Sequence, residues 1–190
     1  MDIIIVADSL DSSQPLLHIA AKSGYRVLKL VGPNDEVSGY VKSMQPDILI
    51  FISDELDLQA LREMRSVGEK QPTPILVFTR DAKEESIDAA VKAGASAYVV
   101  DCADPERLSS LIGVAQARFR QHRRMQQELA KSKNALMERK YIEKAKGIIM
   151  RTKSLSEDQA YNAMRKLAMN KNKRIGDIAE QIISAAEVLV

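Results

Sequence analysis

The chain has 190 residues, 45% of them hydrophobic and 28% charged, with 28 Lys+Arg against 26 Asp+Glu. That is enough chain to bury one large core or two small ones, and this composition excludes wholesale disorder. A single cysteine, Cys102, excludes an internal disulfide framework and any multi-thiolate metal site.

The opening MDIIIVADSL has no basic n-region, and the longest apolar runs are strand-sized. A cytoplasmic protein with no membrane partner is therefore expected. Five β-branched-rich runs follow one another: Asp2–Ala7, Tyr25–Leu30, Asp47–Ile52, Pro74–Thr79 and Ala97–Val100. Turn signals such as Gly24, Pro46, Pro74 and Gly94 bound them. The segments between have helical spacing, as in Leu56, Leu58, Leu61 and Met64 or Ile87, Ala90 and Val91. Continuous rather than alternating apolar runs suit strands covered on both faces, hence a parallel sheet sandwiched by helices. The expectation is an α/β, flavodoxin-like doubly wound five-stranded parallel sheet.

Over residues 1–120 this pattern resembles the response-regulator receiver family, carried by PDILIFIS, TPILVFT and GASAYVV. The resemblance implies a phosphorylation pocket, and here that pocket is degenerate. One carboxylate, Asp8, stands where a pair is needed. Ile52 takes the phosphoacceptor position, Thr79 matches the Thr/Ser position, and Asp101 replaces the lysine. Phosphoryl transfer needs a carboxylate nucleophile, a Mg²⁺ ion held by carboxylates and a cation for the developing charge. Ile52 supplies none of these. Asp54 would sit about 6–7 Å further along the strand, too far to meet Asp8 and Thr79. The unit reads as a pseudo-receiver with no catalytic residue and no enzymatic role. The turn from Ala7 to Ser12 contains no glycine, so no phosphate-cradling loop is expected; neither a cofactor nor a resident metal is expected.

Charge divides the chain. Residues 1–105 hold 10 Lys+Arg and 17 Asp+Glu, whereas residues 106–190 hold 18 and 9. The basic half suits a polyanion, or it is a solvated helix surface. After Pro105 the helical pattern runs unbroken to about Arg151, giving a long connecting helix over 105–150. Leu108, Ala115, Phe119, His122, Leu129 and Leu136 form a candidate coiled-coil dimer seam. The alternative is an amphipathic helix packed on its own domain. His122 and His18 have no second ligand at helical spacing, and Cys102 has no activating neighbour, so all three read as structural.

A small three-helix α domain follows over residues 130–190. Its first helix carries Ile142, Ala145 and Ile149 on one face. Ser156 with Gln159 makes a capping box for the second, which turns Ala160, Met164, Leu167 and Ala168 inward. Polar Asn170–Arg174 precedes a third, with Ile175, Ile178, Ala179, Ile182 and Ile183 inward.

This segment resembles the ANTAR family of RNA-binding antitermination domains. The matching residues are Ile142, Ala145-Lys146-Gly147-Ile148-Ile149-Met150, Ser156–Ala160, Leu167-Ala168 and the Arg174–Ile183 pattern. With its degenerate receiver, the chain is similar to amide- and nitrate-responsive antiterminators, most of all the nitrate-assimilation type. The resemblance implies binding of two leader-mRNA hairpins, which prevents terminator formation. It also implies a homodimer when active, and control by a cytosolic solute-binding-protein-like sensor rather than by phosphate. Lys144, Lys146, Arg151, Arg165, Lys166, Lys171, Lys173 and Arg174 are the candidate phosphate contacts. Lys144 and Lys173 are equally well read as solvated surface. Tyr161 either stacks on a loop base or is a half-buried core residue. Gly147 permits close approach of RNA or of another helix. The alternative is a DNA-binding response regulator with a helix-turn-helix-like carboxy-terminal domain.

Overall fold

A computed structural model describes residues 1–32, 35–100 and 105–188. Asp101 and Cys102 lie outside the described residues. The chain divides into two compact units, Met1–Arg123 and Arg124–Val190.

In the first unit, β1 (Asp2–Ala7), α1 (Leu10–Lys22), β2 (Arg26–Val31), α2 (Val37–Met44), β3 (Ile48–Ile52), α3 (Leu58–Lys70), β4 (Ile75–Thr79), α4 (Glu84–Lys92) and β5 (Ala97–Val100) alternate. The strands form one parallel sheet in the order β2-β1-β3-β4-β5. This is the doubly wound order, with the crossover point beside β1 and β3. Successive residues of each strand serve opposite layers. Ile3, Ile5, Ile48, Ile50 and Leu76 pack on Leu16, Ile19 and Ala20 of α1. Ile4, Val6, Leu49, Phe51 and Val77 pack on Val37 and Val41 of α2, Met64 and Val67 of α3, and Ala90 of α4. Burial on both faces is why the strand sequences read as unbroken apolar runs.

The helix α5 (Pro105–Lys153) is continuous over 49 residues and belongs to both units. Its amino-terminal turns bury Leu108, Ile112 and Ala115 in the same layer as α1. This corrects the expected seam: Leu108 and Ala115 are core residues of the first unit, 1% and 0% exposed, and have no surface left for a partner. Phe119 is half-buried, whereas His122, Leu129 and Leu136 are exposed.

In the second unit, the end of α5 is joined by α6 (Glu157–Lys171) and α7 (Ile175–Val188). Ala145, Met164, Ala179 and Ile183 make its core, with Tyr141, Ile142, Ile148, Ile149, Ile175 and Ile182 around them. Ser156 caps α6 reciprocally: its Oγ accepts from the Gln159 N–H at 3.3 Å, and its own N–H donates to Gln159 Oε1 at 2.9 Å. Asn172 closes α6 in the left-handed conformation, with φ of 49°. A short side chain tolerates that geometry. No described helix is long and apolar enough to cross a membrane.

Candidate nucleic-acid interface

Small residues let the three helices of the second unit approach closely. Gly176 at the start of α7 is one: a Cβ there would lie 2.6 Å from Glu138 Cγ, so only glycine fits without displacing that side chain. Gly147 is different, because a Cβ added to it would meet nothing within 4 Å. Of the two readings of Gly147, close approach of another helix is not seen among the described residues.

The basic residues of this unit fall into two groups. Lys146 is 8% exposed, and its ammonium lies 2.8 Å from Glu143 and 2.6 Å from Glu157. It joins α5 to the first turn of α6. Hydrogen bonds to Glu143 and then to Glu157 raise its pKa above the ordinary 10.5. The reciprocal bond from Lys146 lowers that of Glu157 below 4.5. Lys146, expected to contact phosphate, is thus already neutralised within the protein and covered. Lys144 pairs with Glu187 on α7 at 2.8 Å but stays exposed. Arg151 Nε donates to the Gly147 carbonyl at 3.1 Å, one turn back along α5.

The second group is on the outside of α6 and the turn after it. Arg165, Lys166, Lys171, Lys173 and Arg174 are exposed. No acidic residue among those described forms an ion pair with them. Tyr161 is 41% exposed rather than a core residue. Tyr161, Arg165 and Met169 follow at intervals of four, so they form one stripe along α6 beside its buried Ala160, Met164 and Ala168. Met169, 73% exposed, was not singled out by the sequence. Its place in the Tyr161 repeat was the available signal. The stripe offers a ring face, a guanidinium and a soft apolar tip, a set suited to unstacked bases and nearby phosphate.

In the degenerate receiver pocket, Asp8 is exposed and the polar groups around it are bonded to one another. Ser53, just after β3, has its Oγ in hydrogen-bond reach of both Asp8 and the Glu55 carbonyl, the latter at 2.6 Å, so its one proton serves one of them at a time. Thr79 Oγ1 donates to the Asp54 carbonyl at 2.9 Å and accepts from the Asp81 N–H at 3.1 Å. Ile52 ends β3 beside Ala7 and Phe78. Asp54 faces Arg80 at 3.4 Å, and Glu55 faces Lys83 at 2.5 Å, exposed pairs that link the loops after β3 and β4. The Ser86 hydroxyl, followed by the Lys83 N–H, holds the Asp81 carboxyl below its ordinary range. Ser53 was missed in the sequence, although it adjoins the unmatched Ile52. Among the described residues, no three His, Cys, Asp or Glu side chains are placed to hold a metal ion.

Residues 130–183 match the family model described as the ANTAR domain. The carboxy-terminal unit is an ANTAR domain. The match begins within α5 and takes in α6 and most of α7, so it covers the buried Lys146 bridge and the Tyr161 stripe alike. Over 181 residues the chain is 24% identical to the transcriptional regulatory protein PdtaR of Mycobacterium tuberculosis, covering 95% of this chain and 88% of that protein. A 57-residue stretch, 30% of this chain, is 47% identical to 14% of the nitrate regulatory protein of Klebsiella oxytoca. Both relatives are regulatory proteins. Among solved structures, a CheY-like response regulator receiver domain from Methanospirillum hungatei superposes with a TM-score of 0.55. It is 18% identical, over 64% of this chain and 97% of that one. A pilus assembly-related protein from Burkholderia pseudomallei gives 0.56 at 21% identity, over 62% of this chain and 90% of that one. These two likenesses concern the fold of the amino-terminal unit. The chain therefore joins a receiver-like α/β unit to an ANTAR domain through one helix.

Proposed function

We infer that this chain is a positive regulator acting by transcription antitermination, with the ANTAR unit as its RNA-binding part. The supporting observation is the stripe of Tyr161, Arg165 and Met169 on the exposed side of α6, beside the cations Lys171, Lys173 and Arg174, which have no ion-pair partner among the described residues. Duplex RNA hides its bases in a deep, narrow major groove, so a protein reads loop bases by stacking and hydrogen bonding. A rigid ring with cations around it suits a hairpin loop better than a duplex. The proposed substrate is a leader transcript with two hairpins, each closed by a six-nucleotide loop. Holding that form denies the overlapping terminator hairpin its strand.

Two hairpins call for two ANTAR units. The exposed Leu129 and Leu136 on α5 support a homodimer, because together with Met125 they form an apolar stripe on the helix. Joining two sites raises the effective concentration of the second contact. Nitrate or nitrite assimilation genes are the proposed target, suggested by the likeness to the Klebsiella regulator. The pocket around Asp8 and Ser53 leaves control to a cytosolic solute-binding-protein-like sensor docking on the receiver-like unit. A gel shift of the whole chain with two-hairpin leader RNA and with duplex DNA of the same sequence tests this reading. Preference for the RNA supports it. Preference for the duplex DNA favours a helix-turn-helix regulator instead.

A further inference from the structure

Between Arg107 and Gln127 the chain has five arginines, no lysine and no acidic residue. From residue 120 to residue 137, α5 is exposed at every position. A solvated helix is normally laced with charges of both signs at intervals of three and four. Here Arg120 stands three and four residues from Arg123 and Arg124, which disfavours the helix by like-charge repulsion. No acidic side chain among the described residues pairs with Arg120, Arg123, Arg124 or Lys131.

Helical geometry separates this charge from the apolar residues. At 3.6 residues per turn, Met125, Leu129 and Leu136 fall within a narrow stripe. Arg120, Arg123, Arg124, Gln127 and Lys131 occupy about 100° of arc centred on the opposite side. From Arg120 to Lys131 that cationic edge is about 16 Å long. Pairing the apolar stripes of two copies would leave the arginine edges facing outward. Three of the four cations also lie in the first unit or at the boundary, ahead of the ANTAR match at residue 130.

We propose that Arg120, Arg123, Arg124 and Lys131 form a second, sequence-independent RNA site that grips the phosphates of a duplex stem, apart from the ANTAR unit's loop-reading face. Guanidinium groups suit phosphate because their planar donors bind it in pairs. The proposal rests on the RNA reading of the ANTAR unit, and it divides the labour: α6 reads a loop, and α5 holds the helical stem.

The test uses the full chain and a loopless RNA duplex, so no knowledge of the natural transcript is needed. Affinity is measured across a salt series for the wild type, for R120Q/R123Q/R124Q and for R120K/R123K/R124K, with helicity followed by circular dichroism. The glutamine variant is expected to bind the duplex at least tenfold more weakly at low salt. Its log affinity against log salt should flatten by about 2 to 3, near 0.9 per lost contact. The lysine variant should retain most of both. Single R123Q, which removes one charge, should flatten the slope by about 1. Unchanged affinity and slope in the glutamine variant overturn the proposal, as does arginine-dependent binding to phosphatidylserine vesicles without RNA binding. A second probe, a hairpin with a six-nucleotide loop, separates the two readings. Preference for hairpin over duplex with no arginine dependence rejects the α5 site alone. Arginine-dependent duplex binding with no hairpin preference keeps the α5 site and rejects loop reading.

Discussion

The Lys146 ammonium lies 2.6 Å from the Glu157 carboxylate, so a covered cation on α5 fastens the first turn of α6. The ANTAR unit therefore contains a charge with a structural task among charges available to a ligand. Lys146→Gln and Glu157→Gln should each lower the melting temperature of the second unit at neutral pH. The pH dependence follows from the two shifts. Glu157 is lowered, so its contribution is complete above the ordinary 4.5 and fades as pH falls through the folded value. Lys146 is raised, so its contribution is complete below 10.5 and fades as pH rises through the folded value. The gap in melting temperature between wild type and Glu157→Gln should therefore hold from 4.5 to 10.5 and shrink outside. A gap that is constant into acid would contradict the bridge.

Incubation with acetyl phosphate and Mg²⁺ should leave the intact mass unchanged. Ile52 offers no nucleophile, Asp8 is in hydrogen-bond reach of Ser53, and Asp54 faces Arg80 at 3.4 Å. A stoichiometric phosphoryl adduct lost in Asp54→Asn would contradict this reading.

The sheet was legible because strands buried on both faces leave an unmistakable apolar signature. The capping box at Ser156 and Gln159 was legible because its chemistry is local. The seam was harder to read. Leu108 and Ala115 share a seven-residue spacing with Leu129 and Leu136, yet one pair faces a sheet and the other faces solvent. Spacing encodes which residues share a helix face, not what covers that face. Lys146 shows the same limit for charge. Its neighbours Glu143 and Glu157 were visible, but burial depends on how α6 folds back, which no local pattern carries.

Tyr161→Ala should weaken binding to looped RNA by about tenfold or more, corresponding to the ~1–3 kcal/mol of one base stacked on an aromatic ring. The ring is exposed, so thermal stability should change little. Tyr161→Phe should keep the affinity, because stacking uses the ring face. Loss of binding in the phenylalanine variant would assign the role to the hydroxyl.

Leu129→Asn with Leu136→Asn should shift the chain toward monomer in sedimentation equilibrium. Affinity for one hairpin should persist, while the extra affinity for two linked hairpins should disappear. An unchanged sedimentation profile would place the dimer contact elsewhere.

The central claim is that the outer side of α6 and the turn after it bind folded RNA. Its most direct test is the affinity of Arg165→Gln with Lys171→Gln and Arg174→Gln for two-hairpin leader RNA, measured across a salt series. The account predicts a loss of at least tenfold, a salt dependence flatter by about 2 to 3, and an unaltered melting temperature. Affinity and salt dependence equal to wild type would contradict it.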